Sequence, residues 1–256
     1  MRVSFDECYE ELVLGGGDDA RRAFSEWERR PGFGAVVEFV RNFEHSVLYQ
    51  LSTKDIQATL KQTEHALGNV QSTEQIREIE DFTTPFALQH LLHNFIEKAG
   101  YVPTWQRFAK WMNNEAAPYW IDQIKPLRDH LKTKYDDRRI AAAIQWRVGK
   151  FYYSAIREID LVVSLSERGI PVRYHILADV LLRVDCWLDE KLICIYFPNR
   201  FYREGKKGRK PPAEQFFNNS VGNFSILDFE VERQGFGRTW LISQKSKDQI
   251  AKRLSS

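Results

Sequence analysis

The first sign of chemistry in this sequence is an aspartate inside an almost wholly apolar run. From Val180 to Phe197 nearly every residue is β-branched, aromatic, leucine or cysteine; the exceptions are Arg183, Asp185 and the triplet Asp189-Glu190-Lys191. A carboxylate in the middle of a buried strand is costly unless it is paired, so Asp185, set in V-D-C-W-L, needs a partner. A buried salt bridge to Arg183 or Arg200 is one that the chain offers.

The second sign follows directly. Arg200–Lys210 carries six basic residues (Arg200, Arg203, Lys206, Lys207, Arg209, Lys210) against the one acid Glu204, with Phe201 and Tyr202 interleaved. Gly205 and Gly208 let the backbone approach a phosphate chain, and the aromatics can stack on a base. The stretch reads as a nucleic-acid contact; a solvated charged loop has the same composition. His90 and His93 stand three apart on a predicted helix, but no third ligand accompanies them. Nucleophile-elbow, Walker, dinucleotide and His-Glu-x-x-His patterns are all missing.

The elements that must position these residues are helical first and mixed later. Met1–Leu14 reads as an amphipathic helix stopped by Gly15-Gly16-Gly17, and Asp18-Asp19 opens another that ends near Pro31. Gly34–Leu51 carries a helical apolar stripe, and Ser52-Thr53 starts a polar helix to about Leu67. Thr83-Thr84-Pro85 has the composition of a helix start for Phe86–Ala99, which Gly100 closes. Thr104 leads into Trp105–Asn113, and a further helix runs from about Pro118 to Lys134. Residues 84–113 resemble a helix-turn-helix, with Thr104 capping a helix whose N-terminus would face a phosphate and with Arg107 and Lys110 as DNA contacts. A plain helical hairpin fits the same pattern.

Arg138–Arg168 is one long helical run ended by Gly169 and Pro171. Val180–Phe197 reads as two buried strands joined at Asp189-Glu190, with Leu188 opposite Lys191 and Asp185 opposite Cys194. That register puts Asp185 on one face with Cys194 and Tyr196. Ala213–Phe217 suits a short helix, Phe224–Arg233 and Arg238–Ser243 suit strands around a Gln234–Gly237 turn, and Ser246–Leu254 closes the chain as a helix. The expected fold is α+β, a helical domain over 1–137 followed by an α/β domain over 138–256.

Composition sets the outer bounds. The 256 residues are 43% hydrophobic and 28% charged, as in ordinary soluble proteins. The net charge of +2 hides an asymmetry, because residues 170–256 hold 15 Lys and Arg against 10 Asp and Glu. A basic C-terminal third suits a polyanionic partner. Three scattered cysteines and no leader-like or membrane-length apolar run point to a reducing, cytoplasmic setting.

Over about residues 150–200 the order of helix, strand and hairpin resembles the core of the PD-(D/E)xK nuclease superfamily. Glu158, Leu165 and Gly169 resemble the glutamate, leucine and glycine along and just past that family's first helix, and Asp185 resembles its strand aspartate. The resemblance implies a restriction-endonuclease-like α/β domain with a mixed sheet. It implies Glu158 and Asp185 as catalytic acids and ligands of Mg²⁺ or Mn²⁺, with Asp179 and His175 able to complete an altered metal site. The family's third-strand acid and lysine are not matched. Cys194 or Tyr196 stands at the acid position and Pro198 at the lysine position. Asp189-Glu190-Lys191 spells D-x-K but suits a hairpin turn, and Arg200 or Lys206 can stand in for the lysine.

The expected function is a metal-dependent DNA phosphodiesterase of phage defence or mobile-element processing. The alternatives are a catalytically silent DNA-binding or assembly subunit beside a protein partner, and a protein-interaction module.

Overall fold

The computed structural model describes residues 1–197, 212–218 and 223–255, which form a mixed α+β protein with small sheets. The chain opens with β1 (Val3–Ser4), α1 (Phe5–Cys8) and a π-helical turn over Tyr9–Leu14; α2 (Asp18–Glu28), α3 (Gly34–Arg41) and β2 (Glu44–His45) follow. Next come α4 (Thr53–Gln62), α5 (Arg77–Asp81), α6 (Leu88–Ala99), α7 (Trp105–Asn113), α8 (Lys125–Leu131) and the long α9 (Asp137–Glu167). A second π turn over Ala178–Leu182 leads into β3 (Cys186–Leu188) and β4 (Lys191–Tyr196). The last elements are α10 (Glu214–Phe217), β5 (Ser225–Glu230), β6 (Arg233–Phe236), β7 (Thr239–Ile242) and α11 (Gln244–Leu254). Among the described residues no helix is long and apolar enough to cross a membrane.

Four local expectations are corrected. The helix expected over Gly34–Leu51 stops at Arg41 and the chain turns into β2. Leu88, not Pro85, starts α6, where the His90 imidazole accepts the Ala87 N–H at 3.1 Å. Val180–Leu182 is helical, so β3 is short and begins at Cys186. Gln234–Phe236 is strand, and the hairpin turns at Gly237-Arg238 instead.

Contacts divide the chain into two compact units, each discontinuous in sequence. The first comprises Met1–Thr53, Glu158–Gln234 and Leu241–Ser256; the second comprises Lys54–Arg157 and Gly235–Trp240. Residue 137, the expected boundary, is the first residue of α9, whereas the contact boundary falls within that helix at Arg157-Glu158.

In the first unit the end of α9 is a core helix, with Ile159 to Leu165 buried all round. Gly169 stops it with φ 75°, and the Ile170 N–H returns to the Leu165 carbonyl at 3.0 Å. Burial on every side forces Asp160 inside, where Lys247 of α11 meets it at 2.5 Å. β4 is the central strand of its sheet, antiparallel to β3 and parallel to β5. Arg173 adds a bridge to the outer side of β3 at Trp187. The Trp187 indole is fully buried, and its N–H donates to Glu11 at 2.7 Å. Glu11 in turn pairs with Arg173, which ties the N-terminal helices to the sheet.

The second unit packs Leu91, Leu92, Ile96, Phe108, Trp120 and Tyr152 into its core. The Tyr152 hydroxyl donates to the Pro103 carbonyl at 2.9 Å, and Thr63 accepts the Trp105 N–H at 2.8 Å, which fixes the approach to α7. Gly149 of α9 lets the Ala66–Leu67 segment lie against the helix, since a Cβ there would stand 2.9 Å from the Ala66 carbonyl oxygen.

Candidate metal centre

Three separate segments of the first unit bring one carboxylate each to the same place. Glu158 comes from α9, Asp179 from the π turn and Asp185 from the residue before β3; one oxygen of each lies within 4.8 Å of the others. Asp179 is buried, and Glu158 and Asp185 are half-buried.

Local structure explains how each is held. Asp185 continues the β3–β4 ladder, donating its N–H to the Ile193 carbonyl at 3.0 Å, and its Oδ2 accepts the Ile195 N–H at 2.6 Å. The strand aspartate is thus fixed by the main chain of β4. Asp179 accepts the Tyr174 hydroxyl at 3.0 Å, and the Tyr174 N–H donates to the Tyr49 hydroxyl at 2.7 Å. Burial raises the Tyr174 phenol well above its ordinary range, and the charges of Asp179, Glu158 and Asp185 add to the effect. The phenol therefore stays protonated and donates. Burial also pushes the Cys186 thiol up, with Asp185 and Glu158 contributing.

Arg183 interacts electrostatically with one member of the cluster, Asp179. Burial lowers its pKa while the charge of Asp179 opposes that, and its Nε is buried without a hydrogen-bond partner. Its backbone is left-handed at φ 64°, where it caps the π turn. A non-glycine residue in that region is strained by roughly 1–3 kcal/mol, which the surrounding turn and strand must offset.

The register expected for the hairpin is present: Leu188 pairs with Lys191, Trp187 with Leu192 and Cys186 with Ile193. One step further along, Asp185 lies opposite Cys194, whose thiol donates to the Arg183 carbonyl at 3.4 Å. Cys194 pairs on its other side with Asp228 of β5, and Tyr196 pairs with Glu230. Side chains of paired residues share a face, so Asp228 and Glu230 join Asp185 on the face that carries Cys194. No residue pattern signals this, because only the parallel β4–β5 pairing sets it.

Other candidates lie elsewhere. Asp189-Glu190 is the hairpin turn, with Asp189 at φ 50°, and Lys191 donates to the Leu254 carbonyl at 3.1 Å. His175 is outside the cluster: its Nδ1 accepts the Leu177 N–H at 3.1 Å, so its Nε2 is left to donate to the Phe43 carbonyl at 3.2 Å. Arg107 and Lys110 are exposed on α7 with the Arg107 guanidinium over the Tyr101 ring. The N–H groups of Trp105 and Arg107 are taken by Thr63 and Thr104, so they are not turned to a phosphate. Arg200, Arg203, Lys206, Lys207, Arg209 and Lys210, and also Pro198, lie outside the described residues.

The donor set fits a hard divalent cation. Three carboxylates with no thiolate or imidazole suit Mg²⁺ or Mn²⁺. Ligand oxygens about one octahedral ion with bonds of roughly 2.1 Å stand about 3 to 4.2 Å apart, and the three here lie within 4.8 Å of one another. No family model matches the chain, and no curated protein or solved structure matches it either.

Proposed function

We propose that the protein is a Mg²⁺- or Mn²⁺-dependent phosphodiesterase acting on DNA, with a restriction-endonuclease-like core in its first unit. The observation that carries this reading is the convergence of Glu158, Asp179 and Asp185 from three separate segments. In the hydrolysis a water oxygen adds to phosphorus and one ester P–O bond breaks, leaving a phosphate on one strand end and a hydroxyl on the other. Glu158, Asp179 and Asp185 would hold the cation. Bound there, it supplies Lewis-acid polarisation and neutralises charge at the scissile phosphate.

The chain's own groups do the positioning. The Ile195 amide fixes Asp185 and the Tyr174 phenol fixes Asp179. Arg183 interacts through its charge with Asp179, Arg200 or Lys206 would stand in for the family's lysine, and the basic stretch Arg200–Lys210 is the proposed DNA contact. Phage defence or mobile-element processing is the setting that the nuclease resemblance suggests.

The test is nicking of supercoiled plasmid with Mg²⁺ or Mn²⁺ by wild type and by Asp185→Asn. Metal-dependent nicking that the variant loses, with its fold intact, is the expected result. The second reading is a silent subunit that binds DNA beside another enzyme. It is favoured by Cys194, which stands opposite Asp185 where a third-strand acid would be. Salt-sensitive DNA retardation without nicking would establish it.

A further inference from the structure

The second unit contains a cleft that has no part in the acidic centre. It measures about 720 Å³, between the loop bearing Glu64, His65, Gly68 and Asn69 and the hairpin tip bearing Gly235, Gly237, Arg238, Thr239 and Trp240. That volume lies within the roughly 300–1,000 Å³ of small-ligand sites, enough to admit a nucleotide.

The cleft is built, because one hydroxyl ties its two walls together. Tyr153 of α9 accepts the Ala66 N–H at 2.8 Å and faces His65 Nδ1 at 2.7 Å and the Arg238 carbonyl at 3.2 Å. Burial pushes this phenol up, so its proton remains to be shared between the two walls. His65 Nδ1 also accepts the Leu67 N–H at 3.3 Å, which leaves the imidazole proton on Nε2 as a donor. Gln106 holds the same loop from behind, donating to the Gln62 carbonyl at 3.0 Å and accepting the Glu64 N–H at 3.1 Å.

Trp240 is the unusual member. Its indole is 55% exposed, although large aromatics are generally buried. Its six-membered ring lies beside Gly235, where an added Cβ would stand 3.5 Å from the ring, at ordinary contact distance. Beyond that contact the residue is largely open to solvent. Arg238 in the adjacent turn supplies a guanidinium, and Asn69, His65 and Glu64 supply donors and acceptors across the gap.

We infer that this cleft binds an unpaired base of a nucleic-acid strand, stacked on Trp240, with Arg238 on the adjoining phosphate. A flat aromatic surface beside a guanidinium, with amide and carboxylate groups opposite, matches a base and its phosphate in both shape and charge. The choice of a nucleic-acid strand as occupant rests on the phosphodiesterase reading; the geometry of the cleft does not.

The test is fluorescence anisotropy of a labelled single-stranded (dT)12 in EDTA, where cleavage cannot contribute. Trp240→Ala is expected to weaken binding about tenfold or more and Trp240→Phe to retain most of it, with unchanged melting, since the ring is exposed. An abasic strand of equal length should bind wild type as weakly as (dT)12 binds Trp240→Ala. Equal binding by wild type and Trp240→Ala, or by the abasic strand and (dT)12, overturns the inference. Metal-dependent plasmid nicking without (dT)12 binding would overturn the cleft alone. Trp240-dependent binding without nicking would overturn the phosphodiesterase alone.

Discussion

The Ile195 N–H donates to the Asp185 carboxylate at 2.6 Å, while the thiol of Cys194, the residue before Ile195, donates to the Arg183 carbonyl. The strand aspartate is therefore oriented by backbone whatever side chains β4 carries. Its orientation does not depend on an acid at position 194, and the site can be probed one carboxylate at a time.

Mg²⁺ should raise the melting temperature of wild type and leave Asp185→Asn unmoved. A cation at 100 times its Kd stabilises by about 2.7 kcal/mol, easily seen by calorimetry. The asparagine carbonyl still accepts the Ile195 N–H, and with one of three clustered charges removed the metal-free variant should melt no lower than wild type. Equal Mg²⁺ shifts in both proteins would remove Asp185 from the metal centre.

Cys194→Asp should make the fold metal-dependent. The new carboxylate would stand between Asp185 and Asp228 on one sheet face, and like charges this close destabilise by roughly 1–2 kcal/mol without a counter-ion. Thermal melts in EDTA and in Mg²⁺ should diverge more for the variant than for wild type. Identical divergence would place Cys194 away from the cation.

Lys247→Met should cost about 3–5 kcal/mol, because it strands the buried Asp160 carboxylate. Burial already pushes Asp160 up and Lys247 pulls it back. Adding Asp160→Leu should recover most of the loss, which urea unfolding of the single and double variants would show. No recovery would mean that the pair is not the source of the loss.

Stability should fall as pH drops from about 6.5 toward 4. Burial holds His175 at about 4 and His45 well below its ordinary value, among Phe43, Tyr174 and Phe5. Their folded pKa values lie below the unfolded ones, so the unfolded chain binds more protons in this window, and stability present above it is lost. His175 alone contributes roughly 3 kcal/mol. Melting curves across this range should flatten in His175→Gln; an unchanged slope would count against the buried neutral imidazole.

The legible parts of the fold are those with local causes. Gly169 and Pro171 mark the end of α9, and a two-residue turn at Asp189-Glu190 sets the β3–β4 register. Ile176–Leu182 defeats the same reasoning. Its apolar residues follow one another without a period, so a buried helical turn and a buried strand look alike. Asp185 stood out as a charge in an apolar run. The convergence of Glu158 and Asp179 on it depends on how α9 and the π turn pack, and the place of Asp228 depends on a parallel pairing between distant strands. The Trp240 cleft joins residues 64–69 to residues 235–240, and neither half carries a pattern of its own.

The discontinuity of the first unit has a consequence for biosynthesis. Its three stretches include Leu241–Ser256, so on the ribosome Glu158, Asp179 and Asp185 emerge well before the α11 residues of the same unit. A nascent or prematurely released chain lacking Lys247 leaves Asp160 without its cation at the centre of the core helix. The first unit, with its acidic centre, would then be completed only once Leu241–Ser256 has joined the two earlier stretches, an order set by chain connectivity.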